Sequence, residues 1–187
     1  MILAARGWLM LLALACATRA VAVDCATTQA RGHAYTTCHV DARRETLRLF
    51  HADERGKCFA SFERIRNALP AATRKLAFAM NAGMFHADGR PVGLLVIDGR
   101  ELVPLNRASA AGNFFLQPNG VFVVDADGPR VIASDEYRGL TPVLATQSGP
   151  MLVHRGQIPA IQAFSATSRS RHIRNGVCVR ARVKWHS

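Results

Sequence analysis

Short apolar runs separated by turns rich in glycine, asparagine and aspartate make up most of the chain after residue 23. Runs of about four to eight residues rich in Val, Leu, Ile and Phe are typical of β-strands. The pattern predicts single strands at 33–40, 46–50 and 75–80, and hairpins at 91–105, 121–132 and 146–157. The hairpin at 91–105 has the clearest signal, because Asp98 and Gly99 favour the positive φ angles of a tight turn.

A short helix is predicted between the early strands and the hairpins. Ser61 is placed to cap its first turn, and Pro70 ends it. Phe62, Ile65 and Leu69 recur at the spacing of one apolar helix face. Together these elements predict an α+β fold, in which a β-rich mixed sheet is built from several hairpins with short helices, and not alternating βαβ units.

The first 22 residues have the pattern of an export signal. Arg6 supplies a positive start, an apolar core follows at 8–17, and residues 20–22 read Ala-Val-Ala, the small-x-small site that signal peptidase prefers. We predict a signal peptide over 1–22, one domain over 23–187, and a periplasmic or secreted location. The alternative is a lipoprotein signal anchored at Cys16. The core is shorter than the ~20 residues of a membrane span, and no other stretch predicts one.

Removal of the leader would leave four of the five cysteines, namely Cys25, Cys38, Cys58 and Cys178. In an oxidising compartment four thiols can pair in three ways, and the sequence leaves all three open. A Cys25–Cys38 bridge is the first prediction, because the polar residues 31–33 could turn between them. Metal binding is the rival interpretation, but the Cys and His spacings match no zinc motif, so neither a metal nor a cofactor is predicted.

Basic residues outnumber acidic ones, 24 against 13, which gives a net charge of +11. Six of the basic residues and no acidic residue lie in 165–187. A nucleic-acid-binding face usually spreads its basic residues and interleaves aromatics. The concentration in one tail predicts an anion site and no nucleic-acid partner.

Four turns place a polar side chain beside an apolar strand, at 81–85, 117–120, 147–150 and 168–176. In the third, a Gln-Ser-Gly-Pro turn runs into the apolar residues 151–153, an order that would leave Ser148 and its neighbouring amides at the edge of a sheet. We expect the four turns to converge on one pocket. The alternative is that they only punctuate a β-rich domain.

Five motifs occur in register: NAGMF at 81–85, PVGL at 91–94, GNFFLQPNGVF at 112–122, QSGPML at 147–152 and RNGV at 174–177. Together they resemble the phosphodiester glycosidase domain family over roughly residues 35–178. That family includes the lysosomal uncovering enzyme, which removes N-acetylglucosamine from phosphodiester-linked mannose. It also includes bacterial exported proteins labelled as exopolysaccharide-biosynthesis-related, which this chain resembles most.

The resemblance implies hydrolysis between a sugar's anomeric carbon and a phosphodiester oxygen, with a phosphorylated sugar or glycan phosphodiester as partner. Phosphate calls for planar guanidinium groups, which Arg171 and Arg174 would supply, although both could equally be solvated. Asn175 joins them in the expected substrate-binding set. Gly149 does so too, because it would let the ligand approach the backbone.

Three residues are assigned to catalysis: Asn81, Asn119 and Ser148. The two asparagines would bind sugar hydroxyls, or would only support turn conformations. Ser148 would bind substrate through its hydroxyl or act as a nucleophile, although no motif-spaced His and Asp identifies a triad. His86 is a candidate for proton transfer that a surface histidine would also explain.

The tail after the last motif departs from the family pattern. Residues 178–187 are basic, lack a strand pattern and end before the Asp-Gly-Gly-type loop that family members carry. We therefore expect that C-terminal strands of the family fold are missing and that the hydrolase is weak or inactive. The alternatives are a non-catalytic remnant that binds anionic glycans through Arg171 and Arg174, and a basic binder of nucleic acid or anionic surfaces. Nothing in the sequence indicates an oligomeric state.

Overall fold

The computed structural model describes residues 23–71, 76–159 and 174–180. The chain divides into two units, Met1–Val40 and Asp41–Ser187. The predicted signal peptide, including Cys16, lies outside the described residues. Within the described ranges no helix is both long enough and apolar enough to cross a membrane.

The first unit contains an antiparallel hairpin of β1 (Val23–Ala30) and β2 (His33–Val40), in register along its whole length. Arg31 and Gly32 form the turn, with φ angles of 50° and 76°. Cys25 and Cys38 are opposite each other in this register and are joined by a disulfide. Directly opposed strand residues are close enough for such a bridge. The predicted strand and the predicted pairing are both confirmed, while Cys58 and Cys178 are free thiols.

A five-stranded sheet forms the centre of the second unit. Its strands are β3 (Leu95–Ile97), β4 (Arg100–Val103), β5 (Gly120–Asp125), β6 (Gly128–Ala133) and β7 (Leu144–Ser148). The spatial order is β4-β3-β7-β5-β6. All four pairs in this sheet are antiparallel. The β-rich expectation is confirmed, but the mixed strand directions are not found among the described strands.

Two of the predicted hairpins are present. β3 and β4 are joined at Asp98 and Gly99, whose φ angles are 50° and 74°. β5 and β6 are joined by a short turn that ends at Gly128, with a φ of 97°. In both cases the residue types that favour positive φ lie where the backbone needs them.

Replacing Gly99 with valine is expected to lower the free energy of unfolding by about 1–3 kcal/mol, because a β-branched residue resists positive φ. A Cβ at this position would meet no atom within 4 Å, so the effect is backbone strain and not a clash. Chemical denaturation of the two proteins measures it. Gly176, which has open space around a Cβ and no positive φ, provides the control as Gly176→Val, and equal midpoints for all three proteins would contradict the turn.

Two predicted strands and one predicted hairpin are corrected. Residues 46–50 form no strand, and their side chains pack instead: the Phe50 ring lies edge-on to Phe59, and the Arg48 guanidinium lies 4.9 Å over the Phe50 ring. Residues 76–80 form no strand either, and Phe78 is exposed, while Lys75 lies outside the described residues. The predicted hairpin at 146–157 is present only as its turn, in which His154 and Gln157 exchange backbone hydrogen bonds, while residues 151–153 before it form no strand. β7 pairs with β3 and β5 instead, so its partners come from earlier in the chain.

The predicted helix is present as α1 (Phe62–Ala68). Ser61 caps it, because its Oγ accepts a hydrogen bond from the Arg64 backbone N–H. The apolar face is only partly used: Leu69 is buried, Ile65 is half-buried, and Phe62 is exposed.

The core is formed by the central strands of the sheet. Leu94, Val96, Val121, Val123 and Ala145 are buried together. β7 is the middle strand, and four of its five residues are buried. The fifth, Ser148, is exposed where the strand ends. The fold therefore brings this serine out of a rigid, buried strand into solvent.

Candidate functional site

The end of β7 is where the sequence motifs meet. Gly120 is paired with Ser148, and the Gln147 backbone N–H donates to the Leu94 carbonyl at 3.0 Å. Beyond Ser148 the chain turns through a cis Gly149–Pro150 peptide, and the Met151 N–H donates to the Pro118 carbonyl at 2.8 Å. The sequence led us to expect a strand at 151–153 after this turn, with Ser148 at the edge of the sheet; instead Ser148 ends the preceding strand, β7, in the middle of the sheet, and residues 151–153 form no strand.

Gln147 is the buried centre of this region, with 1% of its surface exposed. Its side-chain oxygen accepts from the backbone N–H of Leu94 at 3.1 Å and of Asn106 at 2.9 Å. Its side-chain nitrogen donates to the Asn106 carbonyl at 2.8 Å and to Asn119 Oδ1 at 3.4 Å. One amide therefore joins three separate segments to β7. No role was predicted for Gln147. The sequence feature that could have indicated one is a long polar side chain within a buried strand.

Three motif glycines allow the segments to approach closely. A Cβ on Gly83 would lie 2.5 Å from the Gln147 carbonyl oxygen, and one on Gly93 would lie 2.7 Å from Phe114 Cζ. A Cβ on Gly149 would lie 3.0 Å from both the Phe114 carbonyl carbon and Asn119 Cβ. Atoms essentially never approach a Cβ this closely, so these positions exclude larger residues. Three of the four motif turns are therefore packed together at the end of β7, and the pocket that the four turns were expected to form stays a prediction.

Asn119 belongs to the supporting structure. It is 1% exposed, its Nδ2 donates to the Phe114 carbonyl at 3.2 Å, and its Oδ1 accepts from Gln147. Both ends of its amide are occupied by the protein and shielded from solvent. This geometry agrees with the alternative, in which Asn119 supports a turn conformation, and its role as a partner of sugar hydroxyls stays a prediction.

The other assigned residues lie on the exposed side of the same region. Asn175 Nδ2 donates to the Asn81 carbonyl at 3.4 Å, which brings the last motif against the first. The first motif in turn contacts β7 through Gly83, beside Ser148. Asn81, Ser148 and Asn175 are all exposed, and we refer to them as the polar cluster. Arg174 is exposed next to this cluster, Gly149 is half-buried, and Arg171 lies outside the described residues.

The first and second motifs form one narrow ribbon. The Val92 N–H donates to the Met84 carbonyl at 2.9 Å, and the His86 N–H donates to the Arg90 carbonyl at 2.8 Å. Asn106 Nδ2 holds the ribbon to the body by donating to the Val92 carbonyl at 2.7 Å. His86, the candidate for proton transfer, is exposed at the start of the turn that closes this ribbon.

Comparison with known proteins assigns the region that contains the motifs to a family. A family model described as phosphodiester glycosidase matches residues 74–184, more than half of the chain, and this range contains all five motifs. The chain belongs to the phosphodiester glycosidase family. It is also 40% identical over 105 residues to the uncharacterized protein YigE of Escherichia coli (strain K12). That match covers 55% of this chain and 40% of the length of YigE. No solved structure matches the chain.

The chain also has an acidic group that the sequence motifs did not reveal. Glu136 Oε1 accepts from Arg155 Nη2 at 2.7 Å, and His154 Nε2 lies 3.7 Å from the same oxygen. The turn that carries Glu136 is tied to the site, because the Ser134 N–H donates to the Asn119 carbonyl at 2.9 Å. Hydrogen bonding and charge from Arg155 lower the pKa of Glu136. Glu136 and Arg155 are 19 residues apart and outside any motif, so no sequence signal joined them.

Stability at low pH tests the Glu136–Arg155 pair. Because the folded-state pKa is lowered, its contribution is fully present above the usual glutamate pKa of 4.5 and is lost as pH falls through the folded pKa. We expect Glu136→Gln to reduce the loss of stability that the wild type shows on acidification from pH 6 to pH 3. Thermal melts at the two pH values measure this. Parallel losses in both proteins would remove Glu136 from the acid response.

A cleft in the second unit lies away from the polar cluster. A cleft of about 510 Å³ is lined by residues 42–47, the β5–β6 turn and Leu144. It is at the opposite end of β5 and β7 from Ser148. Among the described residues no group of three or more His, Cys, Asp or Glu side chains could hold a metal ion.

Proposed function

We propose that this protein is an exported hydrolase of the phosphodiester glycosidase type, which cleaves the bond between a sugar's anomeric carbon and a phosphodiester oxygen. The observation that carries the proposal is the contact from Asn175 to Asn81, together with the packing of Gly83 on β7. These contacts bring together the segments of three distant family motifs, each of which carries one exposed polar side chain.

The chemistry of the polar cluster suits a glycosyl phosphate. Its two amides and one hydroxyl can donate to and accept from sugar hydroxyls. Arg174, next to Asn175, supplies a guanidinium that can bind two phosphate oxygens at once. The Gly149 backbone, which packs on Phe114 and Asn119 and is half-buried, is kept as a proposed contact for the substrate.

A turnover assay tests the proposal. The substrate is a sugar phosphodiester with a chromogenic leaving group, and the variant is Ser148→Ala. We expect Ser148→Ala to lower kcat/KM by about two- to tenfold, since one hydrogen bond to a neutral sugar hydroxyl contributes about 0.5–1.5 kcal/mol. Ser109→Ala, at another exposed serine, is the matched control and should be unchanged. Equal rates for Ser148→Ala and the control would refute the assignment of Ser148.

The second candidate is a weak or inactive member that binds anionic glycans without hydrolysis. It is favoured by one observation: with Asn119 buried, the polar cluster and Arg174 offer amides, a hydroxyl and a guanidinium, and no carboxyl or imidazole is among them. Such groups bind phosphate and sugar but do not transfer protons readily. Saturable binding of a sugar 1-phosphate without turnover of the diester would support this candidate over the first.

Export is part of the proposal and is tested separately. The leader pattern at 1–22 and the Cys25–Cys38 disulfide both suit an oxidising compartment outside the cytoplasm. N-terminal sequencing of the exported fraction should begin at Val23. A sequence that begins at Met1 would refute cleavage, and a lipid-modified N-terminus at Cys16 would establish the lipoprotein alternative.

A further inference from the structure

An exposed aromatic ring lies beside the polar cluster and has no role in the fold or the chemistry described above. Phe85, the last residue of the first motif, leaves 57% of its surface exposed. A phenylalanine in a soluble protein normally gains free energy by burying its ring. A single exposed ring is common on a protein surface, but this one lies in a segment that packs beside exposed amides and a hydroxyl, where the apolar face of a ligand could cover it.

The backbone holds this ring in a defined place. Phe85 and Pro91 form an antiparallel bridge, flanked by the hydrogen bonds from Val92 to Met84 and from His86 to Arg90. This is the non-hydrogen-bonded type of pair, in which the two side chains stand on the same face and are closest together. Phe85 thus has an apolar neighbour beside it on a two-stranded ribbon.

The ribbon begins at the polar cluster. Gly83 is two residues before Phe85, and its backbone abuts the Gln147 carbonyl beside Ser148. Two residues of extended chain span at most about 7 Å, so the ring lies at the margin of the cluster. Asn81 is two residues further back, and its carbonyl accepts from Asn175. The segment 81–85 therefore carries an exposed amide at one end and an exposed aromatic ring at the other, and Gly83 between them packs beside Ser148.

We propose that Phe85 is a platform on which a pyranose ring of the substrate stacks. A pyranose has a face of C–H groups and a rim of hydroxyls, which matches an aromatic ring placed beside amides and a hydroxyl. Ligand sites commonly combine apolar contact with a few placed polar groups in this way. The platform rests on the proposed function, because it assigns the sugar half of the glycosyl phosphate to Phe85 and leaves the phosphate half to Arg174.

This division of roles predicts which ligands depend on the ring. Glucose 1-phosphate contains both halves, whereas inorganic phosphate contains only one. Phe85→Ala should weaken binding of glucose 1-phosphate by about five- to tenfold, as expected for the loss of one aromatic contact, and should leave binding of inorganic phosphate unchanged. Arg174→Ala should weaken binding of both.

Isothermal titration of the full chain with the two ligands is the experiment. Phe85→Trp should retain affinity for glucose 1-phosphate, while Phe85→Leu, which keeps the apolar volume but not the flat ring, should lose it. Phe62→Ala is the matched control, since Phe62 is 49% exposed on α1 and should not alter either affinity. A thermal melt of each variant checks that it is folded.

The outcomes separate the platform from the proposed function. If Arg174→Ala weakens both ligands but no Phe85 variant changes the affinity for glucose 1-phosphate, the platform is wrong and the proposed function stands. If Phe85→Leu binds as well as wild type, stacking is wrong. If the wild type binds neither ligand, both the platform and the proposed function are overturned.

Discussion

Replacement of Gln147 with leucine is expected to lower the free energy of unfolding by about 3–6 kcal/mol. Leucine fills a similar space but leaves the Leu94 N–H, the Asn106 N–H and the Asn106 carbonyl without the partners they have now. Each polar group left unsatisfied in a buried place costs about 1–3 kcal/mol. Because the side chain is 1% exposed, water cannot replace the lost bonds without opening the site.

Urea denaturation measures this change, with Gln157→Leu as the matched control. Gln157 is exposed in the turn at 154–157, which follows β7. Its substitution should change the free energy of unfolding by no more than about 0.5 kcal/mol. If Gln147→Leu unfolds at the same midpoint as Gln157→Leu, the hydrogen-bond network around Gln147 does not support the fold.

Replacement of Arg174 with alanine is expected to weaken binding of a sugar 1-phosphate by about ten- to a hundredfold, the equivalent of about 1.5–3 kcal/mol for a hydrogen bond to a charged group. Arg174 lies next to the polar cluster, because the following residue, Asn175, donates a hydrogen bond to the Asn81 carbonyl. Lysine at this position should restore only part of the affinity, because a point charge cannot reproduce a two-pronged contact with phosphate.

Calorimetric titration of wild type, Arg174→Ala and Arg174→Lys gives the three affinities. Arg180→Ala is the control, because Arg180 is an exposed arginine in the same described segment, 174–180. Equal losses in Arg174→Ala and Arg180→Ala would indicate a general effect of net charge. An affinity that does not depend on Arg174 would remove it from the site.

The features of the fold that sequence predicted are those determined by neighbouring residues. The Asp98–Gly99 turn, the Ser61 cap and the Cys25–Cys38 pairing each depend on residues close in the chain. Residues 46–50 were predicted wrongly because alternation of leucine with polar residues also suits a loop that packs by its side chains. The strand pairing of the third hairpin was predicted wrongly for a related reason. β7 pairs with residues 20–28 and 49–51 positions earlier in the chain, and periodicity does not reveal such distant partners.

The same distinction holds for the site. The motif glycines signalled that segments would converge, since glycine is required where backbones touch. The motifs did not indicate which of their polar side chains would be exposed to solvent. Asn81 and Asn119 follow similar patterns, yet one is exposed and the other is enclosed beneath Gly149. Glu136 was missed because its partner, Arg155, approaches it only after the loop beyond β7 has folded back.

The order of the strands in space has a consequence for how the site is assembled. β7 is the last of the five strands in sequence, yet it separates the hairpin β3–β4 from the hairpin β5–β6. On a ribosome both hairpins would emerge first and could close on their own, since their contacts are local. Ligand-binding competence would then appear in one late event, the insertion of β7. Pulse-labelled hydrogen exchange would show this as simultaneous protection of Val96 and Phe122, which pair with Ala145 and Thr146 of β7.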